Sequence, residues 1–339
     1  MKTCGIIVEY NPMHKGHLYH IEQARKTSGC DVLIAVLSGC FSQRALPSLI
    51  DPYTKSMLAI RYGVDLVVEL PAVYAAQSAD RFARYAIETL ANLKVDCIVF
   101  GSETNDIAAL EQLLESAKSV QTDPSRSWQA NIGSAIGPND ILGMQYIDYA
   151  HQYGIVPLCI QRSPSFKSAT RTRSDYFAGE GEEFLSDHFI EQQNWNSYYP
   201  YLRTFLLMSS PDTLAGYHLV NEGIEYRLIE NASRYRTWDK FLEASVSKTY
   251  TRARIQRTCL FIMLQITKEE MKRNDSLHCS ILLAMNQTGR AYLNSIKKES
   301  IVYSKFSALP AFLQKVHLRT KRLYESVMPH DIKDTVYVE

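Results

Sequence analysis

A chain of 339 residues can bury a substantial core, and one large α/β unit with a smaller companion is the natural expectation. Its 37 lysines and arginines nearly cancel its 36 aspartates and glutamates, so no global basic excess announces nucleic acid, and an RNA-binding face must come from local clustering. The seven cysteines (4, 30, 40, 97, 159, 259 and 279) form no Cys-x-x-Cys pair, which suits buried thiols in a reducing cytoplasm and not disulfides or structural zinc. No haem or flavin is expected. The first apolar run is too short for a signal peptide, and no stretch reaches membrane-spanning length.

In chain order, Thr3–Val8, Asp31–Leu37, Asp65–Glu69 and Val95–Phe100 read as strands, short and rich in β-branched residues. Between them helices are expected over His17–Lys26, Tyr53–Tyr62 and Ala79–Leu93. Asp51 is placed to cap the second of these, with Pro52 in its first turn and Gly63 after its last. A helix at Ile141–His151 and a strand at Ile155–Gln161 follow, before the polar stretch Arg162–Arg173. Strands apolar throughout and separated by helices predict a parallel sheet covered on both faces, a doubly wound, Rossmann-like α/β layout. After about Glu180 the alternation stops. Apolar residues then recur at spacings of three and four, as in Tyr226–Ile229 and Ile255–Leu260, predicting a first domain over 1–180 and a mostly helical one over 181–339.

The strongest constellation is Glu9-Tyr10-Asn11-Pro12-Met13-His14-Lys15-Gly16-His17, between the first strand and the first helix. Ligands of open parallel sheets bind outside the carboxyl ends of the strands, where a helix N-terminus offers N–H groups to phosphate. Gly16 admits close backbone approach, and imidazoles three residues apart can share one side of the opening turn and bond phosphate oxygens. His20, one turn on, either joins them or merely covers the helix. Three further loops converge on this crevice if the sheet is parallel. Gly101 either admits the nucleotide against bare backbone or simply ends a strand. Asn139 is either a helix cap or an adenine or ribose contact. Arg162, followed by Ser168, Thr170 and Arg173 at a helix start, suits β- and γ-phosphates, since guanidinium groups give fixed bidentate donors.

His14-Lys15-Gly16-His17 resembles the first signature of the nucleotidyltransferase superfamily, and Ser168–Arg173 resembles its second. More narrowly, Val8–His20, Asp65–Pro71, Phe100–Glu103, Pro138–Gly143 and Arg254–Arg257 together resemble the tRNA(Met) cytidine acetate ligase family. The resemblance implies a nucleotidyltransferase fold that activates acetate with ATP, in company with Mg²⁺, and acetylates the wobble cytidine of elongator methionine tRNA. It implies ATP contacts from Ile7, Val8, Glu9, Tyr10, Asn11, Pro12, Met13, His14, Lys15, Gly16, His17, Leu18, Tyr19 and His20, then Gly101, Asn139, Arg162 and Ser163. His14, Lys15 and His17 take the catalytic positions, and with Arg173 are expected to supply a positive field. The chain departs from the family between Arg162 and Ser168, where Ser163–Lys167 replaces a longer Gly-Tyr-His-Asp-like stretch, and at Cys40, where Asn is expected.

For tRNA, the segment Lys248–Arg257 has the needed mixture of cations and aromatic residues. Arg254 and Arg257 share a helix face and either grip adjacent phosphates or pin that helix to the first domain; Lys248 and Arg252 flank them. Gln43 and Arg44, after the second strand, stand where an incoming base would arrive. Two rivals stay open: an adenylyltransferase of the same fold acting on a small molecule, and a tRNA-binding protein without chemistry.

Overall fold

A computed structural model describes residues 1–119, 136–163, 165–180 and 183–339. In its first half every strand is separated from the next by one or more helices: β1 (Thr3–Val8), α1 (Lys15–Ser28), β2 (Val32–Ser38), α2 (Pro52–Arg61), β3 (Leu66–Leu70), α3 (Ala72–Ala75), α4 (Ala79–Asn92), β4 (Cys97–Ser102), α5 (Ile107–Ser119), α6 (Pro138–Gln152), β5 (Val156–Gln161) and α7 (Ala169–Ala178). The punctuation behaves as the sequence suggests. Asp51 Oδ1 accepts from Thr54 N at 3.0 Å, Pro52 opens α2, and Gly63 takes φ +106° beyond its end.

The strands lie in the order β5-β4-β1-β2-β3, all parallel. The path runs outward from β1 to β3, then returns across β1 to β4 and β5. The order therefore reverses between β1 and β4, and the crevice at their carboxyl ends is the expected ligand position. Apolar residues fill both faces: Ile6, Leu33 and Leu58 on one, Ile34, Val68 and Leu90 on the other. Gly5 lets α4 press onto β1, since a Cβ there would stand 2.6 Å from Leu90 Cδ2.

The second half is helical through α8 (Trp195–Met208), α9 (Pro211–Ala215), α10 (Ile224–Arg234), α11 (Trp238–Ser245), α12 (Arg252–Leu264) and α13 (Lys268–Arg273). It then differs from expectation. β6 (Ser280–Met285) returns to the sheet antiparallel to β3, and α14 (Gln287–Ile296), β7 (Val302–Tyr303), α15 (Ala311–Glu325) and β8 (Tyr337–Val338) follow, with β7 and β8 both pairing β6. The sheet is thus mixed, not wholly parallel. The alternating burial of β6 marks a strand with one face toward the core. Asp65 ties the halves together, accepting from Leu33 N (2.8 Å), Asn286 Nδ2 (2.9 Å) and the Arg25 guanidinium of α1. One apolar cluster runs from Val32 and Ile34 into Trp195, Leu202, Phe261 and Tyr324. The expected boundary at 180/181 falls beside residues 181–182, which lie outside the described residues, as does Pro164. Among the described residues no helix is long and apolar enough to cross a membrane, and the cysteines are free, Cys30 and Cys159 only partly buried.

Candidate nucleotide site at the reversal point of the sheet

At the mouth of β1, His14 and His17 form a reciprocal cap on α1. Gly16 N donates to His14 Nδ1 (3.1 Å), and His14 N donates to His17 Nδ1 (3.2 Å). A nitrogen that accepts from an amide carries no proton, so both rings are the tautomer with hydrogen on Nε2. The rings stack with centroids 3.8 Å apart. Burial, helped by the nearby Arg162 guanidinium, lowers His14 to about 4, and burial with the His14, His20 and Arg162 charges puts His17 well below its usual value. The pair therefore presents two neutral N–H donors at neutral pH. The expected positive field is corrected in this respect: two stacked, half-buried imidazoles whose Nδ1 atoms accept from amides are neutral, and what they offer are dipoles.

Gly16 is required by the cap itself. A Cβ there would stand 2.9 Å from His14 Cε1 and 3.2 Å from Phe166 Cβ. Tyr10, fully buried with φ 48°, sits edge-on to His17 at 4.9 Å, and its hydroxyl has no partner among the described residues. Ile7 and Val8 end β1 beneath the loop, Pro12 follows Asn11 through a cis peptide bond, and Met13 is buried. Lys15 is exposed at the first turn; Leu18 and Tyr19 are partly buried, Tyr19 against Phe166. The His20 ring nitrogen meets Val99 O at 3.2 Å, so His20 joins α1 to β4 and does not face the crevice opening.

Asn139 and Arg162 come together on Glu103, a residue to which no role is assigned above. The Glu103 carboxylate accepts from Asn139 Nδ2 (2.5 Å), Asp140 N (3.0 Å) and Arg162 Nη1 (3.1 Å). Asp140 answers by accepting from Ser102 Oγ (2.5 Å) and Glu103 N (2.9 Å). Asn139 is not the helix cap: Gly137 occupies that position, leaving the amide free to reach across to β4. Above Gly101 lies Arg162, whose Cγ would stand 3.1 Å from a Cβ. Ser163 Oγ bonds Ser165 Oγ at 2.6 Å.

The far wall is built differently from expectation. Ser168 Oγ caps α7 by accepting from Arg171 N at 3.2 Å, and Thr170 is exposed. Arg173 turns inward, its Nη1 donating to Asn11 Oδ1 (2.6 Å) and Pro47 O (3.1 Å), while Asn11 Oδ1 also accepts from Leu49 N (3.0 Å). Burial lowers Arg173 to about 10. It braces the Glu9–Met13 loop against Pro47–Leu49, with its donors spent on protein oxygens.

Lys55 was not anticipated, because a lysine on a helix normally faces solvent. Here it is 1% exposed, its ammonium donating to Glu9 O (3.0 Å), Ser38 O (2.7 Å) and Gly39 O (2.9 Å). One cation thus binds the carboxyl ends of β1 and β2, and burial lowers it to about 8. Burial likewise raises Glu9, whose carboxylate accepts from Gln43 N at 2.5 Å. Gln43 Nε2 and Arg257 Nη1 meet on Gln77 O (2.7 and 2.9 Å), pinning α12 beside the site. Arg254 lies over the Tyr250 ring at 3.9 Å and pairs with Glu222, whereas Arg44, Lys248 and Arg252 are exposed.

The buried histidines give a pH prediction. His14 and His218 are each lowered to about 4, so between pH 6.5 and 4 the unfolded chain binds protons that the folded chain refuses, and stability falls as pH falls through that window. Raised Glu9 and Glu69 work in the opposite sense. The His14 contribution is on the order of 1–2 kcal/mol by pH 5. Denaturant melts at pH 7 and 5 should show a smaller acid loss for His14→Gln than for the parent; equal losses would mean that His14 is protonated in the folded state.

The chain matches the family model described as HIGH Nucleotidyl Transferase over residues 1–336. It is 35% identical over 333 residues to tRNA(Met) cytidine acetate ligase of Limosilactobacillus reuteri, covering 88% of each chain, and 30% identical over 391 residues to that of Oceanobacillus iheyensis, covering 99% of this chain and 98% of the other. The crystal structure of Thermotoga maritima TmcAL bound with alpha-thio ATP superposes with a TM-score of 0.86 at 27% identity, covering 100% of this chain and 99% of that one. With the reversal-point crevice and its paired histidines, these likenesses place the chain in the tRNA(Met) cytidine acetate ligase family of nucleotidyltransferase-fold proteins.

Proposed function

We propose that this protein activates acetate with ATP as acetyl-adenylate and transfers the acetyl group to the exocyclic amine of the wobble cytidine in elongator methionine tRNA. The observation that carries the reading is the stacked His14–His17 pair, two preset neutral donors at the crevice where the sheet order reverses. In the first step an acetate oxygen attacks the α-phosphorus in line, the bond to the bridging oxygen of the β-phosphate breaks, and pyrophosphate leaves. Charge grows on phosphate oxygens, which fixed N–H dipoles stabilise without reorganisation. Lys15 adds a mobile cation. Asn139 and Arg162, resting on Glu103, are donors that ribose or phosphate oxygens can recruit. In this reading Ser163, Ser168 and Thr170 offer hydroxyls to the phosphates from the segment leading into α7. Mg²⁺, held by triphosphate oxygens and water, would neutralise charge there; among the described residues no group of three or more His, Cys, Asp or Glu is arranged to hold a metal.

In the second step the cytidine amine attacks the acetyl carbonyl, the bond to AMP breaks, and the amine proton passes to the adenylate phosphate or water. Exposed Arg44, Lys248 and Arg252 suit the tRNA backbone, while Gln43, Arg254 and Arg257 hold the surface in shape. In this reading residues 1–180 do the chemistry, 181–339 bind tRNA, and the protein works in the cytoplasm.

Incubation with ATP, labelled acetate and unmodified elongator methionine tRNA should yield acetylated cytidine. Acetate-dependent pyrophosphate release without label in RNA would leave adenylation and sink the tRNA claim. Tight tRNA binding with no ATP turnover would favour a binding protein without chemistry.

A further inference from the structure

On the other side of the Ser38–Cys40 turn from the Glu9–His17 segment lies a cavity of about 100 Å³, between β3, β6, α15 and the C-terminal segment 332–336. Its walls are mostly apolar, from Ile281, Leu309, Leu313 and Val316. Its inner end is not. Glu69 reaches it from β3 with no hydrogen-bond donor among the described residues, and burial raises its carboxyl above the usual range. Thr320, 4% exposed, also lines it, and its Oγ1 has no partner among the described residues. Beside them His317 pairs with Asp334 at 2.9 Å. Toward solvent stand the ring of Phe306 and the ammonium groups of Lys305 and Lys333.

A half-buried carboxylate and a buried hydroxyl, both without partners among the described residues, are the groups in this cavity that a ligand's hydrogen bonds would satisfy. Glu69 calls for an N–H donor, Thr320 gives or accepts one bond, Phe306 offers a face for stacking, and the lysines at the open end suit a phosphate. The cavity also shares a wall with the nucleotide site. Cys40 lines it, a Cβ on Gly39 would collide with Glu69 Oε1, and Gly39 O and Glu9 O bind the same Lys55 ammonium.

We propose that this cavity holds an unstacked nucleobase bearing an exocyclic amine, with the amine on Glu69, the ring between Phe306 and the apolar wall, and the nucleotide phosphate at Lys305 and Lys333. The proposal rests on the tRNA reading above: the base seated here is a neighbour of the reacting cytidine, whose own amine must reach the acetyl carbonyl at the nucleotide one turn of backbone away. Cytosine and adenine share the required chemistry; uracil, lacking the amine, does not.

The test uses the full-length protein with saturating ATP and no acetate, so that the nucleotide site is filled, and titrates cytidine, adenosine and uridine by ligand-observed NMR. Cytidine or adenosine should bind at least about tenfold more tightly than uridine, and whichever binds identifies the base. Glu69→Leu, which removes the acceptor in a similar volume, and Leu313→Trp, which fills the cavity, should each abolish that preference and raise the KM for tRNA about tenfold. Acetate-dependent pyrophosphate release should remain unchanged in both. Equal binding of all three nucleosides, or an unchanged KM for tRNA in both variants with wild-type melting, overturns the proposal. Failure of the wild-type protein to acetylate tRNA would instead overturn the reading on which it rests.

Discussion

Replacing His17 by alanine should lower acetate-dependent pyrophosphate release about a hundredfold or more, the usual cost of deleting a preset donor to a developing oxyanion. Two effects are mixed in that variant, because His17 Nδ1 also accepts the His14 amide at the start of α1. Loss of such a cap costs about 1 kcal/mol. His17→Gln separates them: a glutamine three residues after the cap can accept the same amide, as in an ordinary capping box, but cannot keep the ring stacked on His14. Denaturant melts should return close to the parent for His17→Gln while pyrophosphate release stays low. Since the rings act as one unit, His14→Ala combined with His17→Ala should cost little more than either alone. Full activity in His17→Gln would reduce His17 to a cap.

Lys55→Met should be the most destabilising change near the site, at about 3–5 kcal/mol, the range for removing one partner from a buried, charge-assisted set. Methionine fits the volume, but Glu9 O, Ser38 O and Gly39 O would lose their shared donor in a place water hardly reaches. The denaturation midpoint should fall accordingly. The surviving folded protein should show a raised KM for ATP, since the carboxyl ends of β1 and β2 carry the nucleotide loop. A stability loss under 1 kcal/mol would show that those carbonyls find other donors.

Most of the first half was legible because its signals are local. β1 occupies the expected Thr3–Val8, while β2, β3 and β4 each lie one or two residues later than expected, a shift that keeps the same apolar residues inside. The position of His14 and His17 after the first strand was enough to find the crevice. What escaped was long-range. Ser280–Met285 is a six-residue apolar run whose partner is Leu66–Glu69, and no local period distinguishes it from a buried helix turn. Lys55 sits at a position where helical spacing says surface. Only the fold shows that the strand ends curl over its ammonium. Glu103 was quoted but given no part, and its meaning appears only when Asn139 and Arg162 reach it from two other elements. Conversely, Arg173 had the right chemistry for phosphate, yet three protein oxygens claim it first.

The pairing of Glu69 with Ile281 has a consequence for how the protein is made. At a synthesis rate of about 5–20 residues per second, β3 leaves the ribosome roughly 10–40 seconds before its neighbour β6 exists. During that interval the nascent chain presents an open strand edge, the Leu66–Leu70 segment, with a row of unpaired amides and carbonyls that another chain can use as a template. The β3 edge is therefore covered only after Ser280–Met285 has been made, and its protection in the meantime falls to whatever meets the chain at the ribosome.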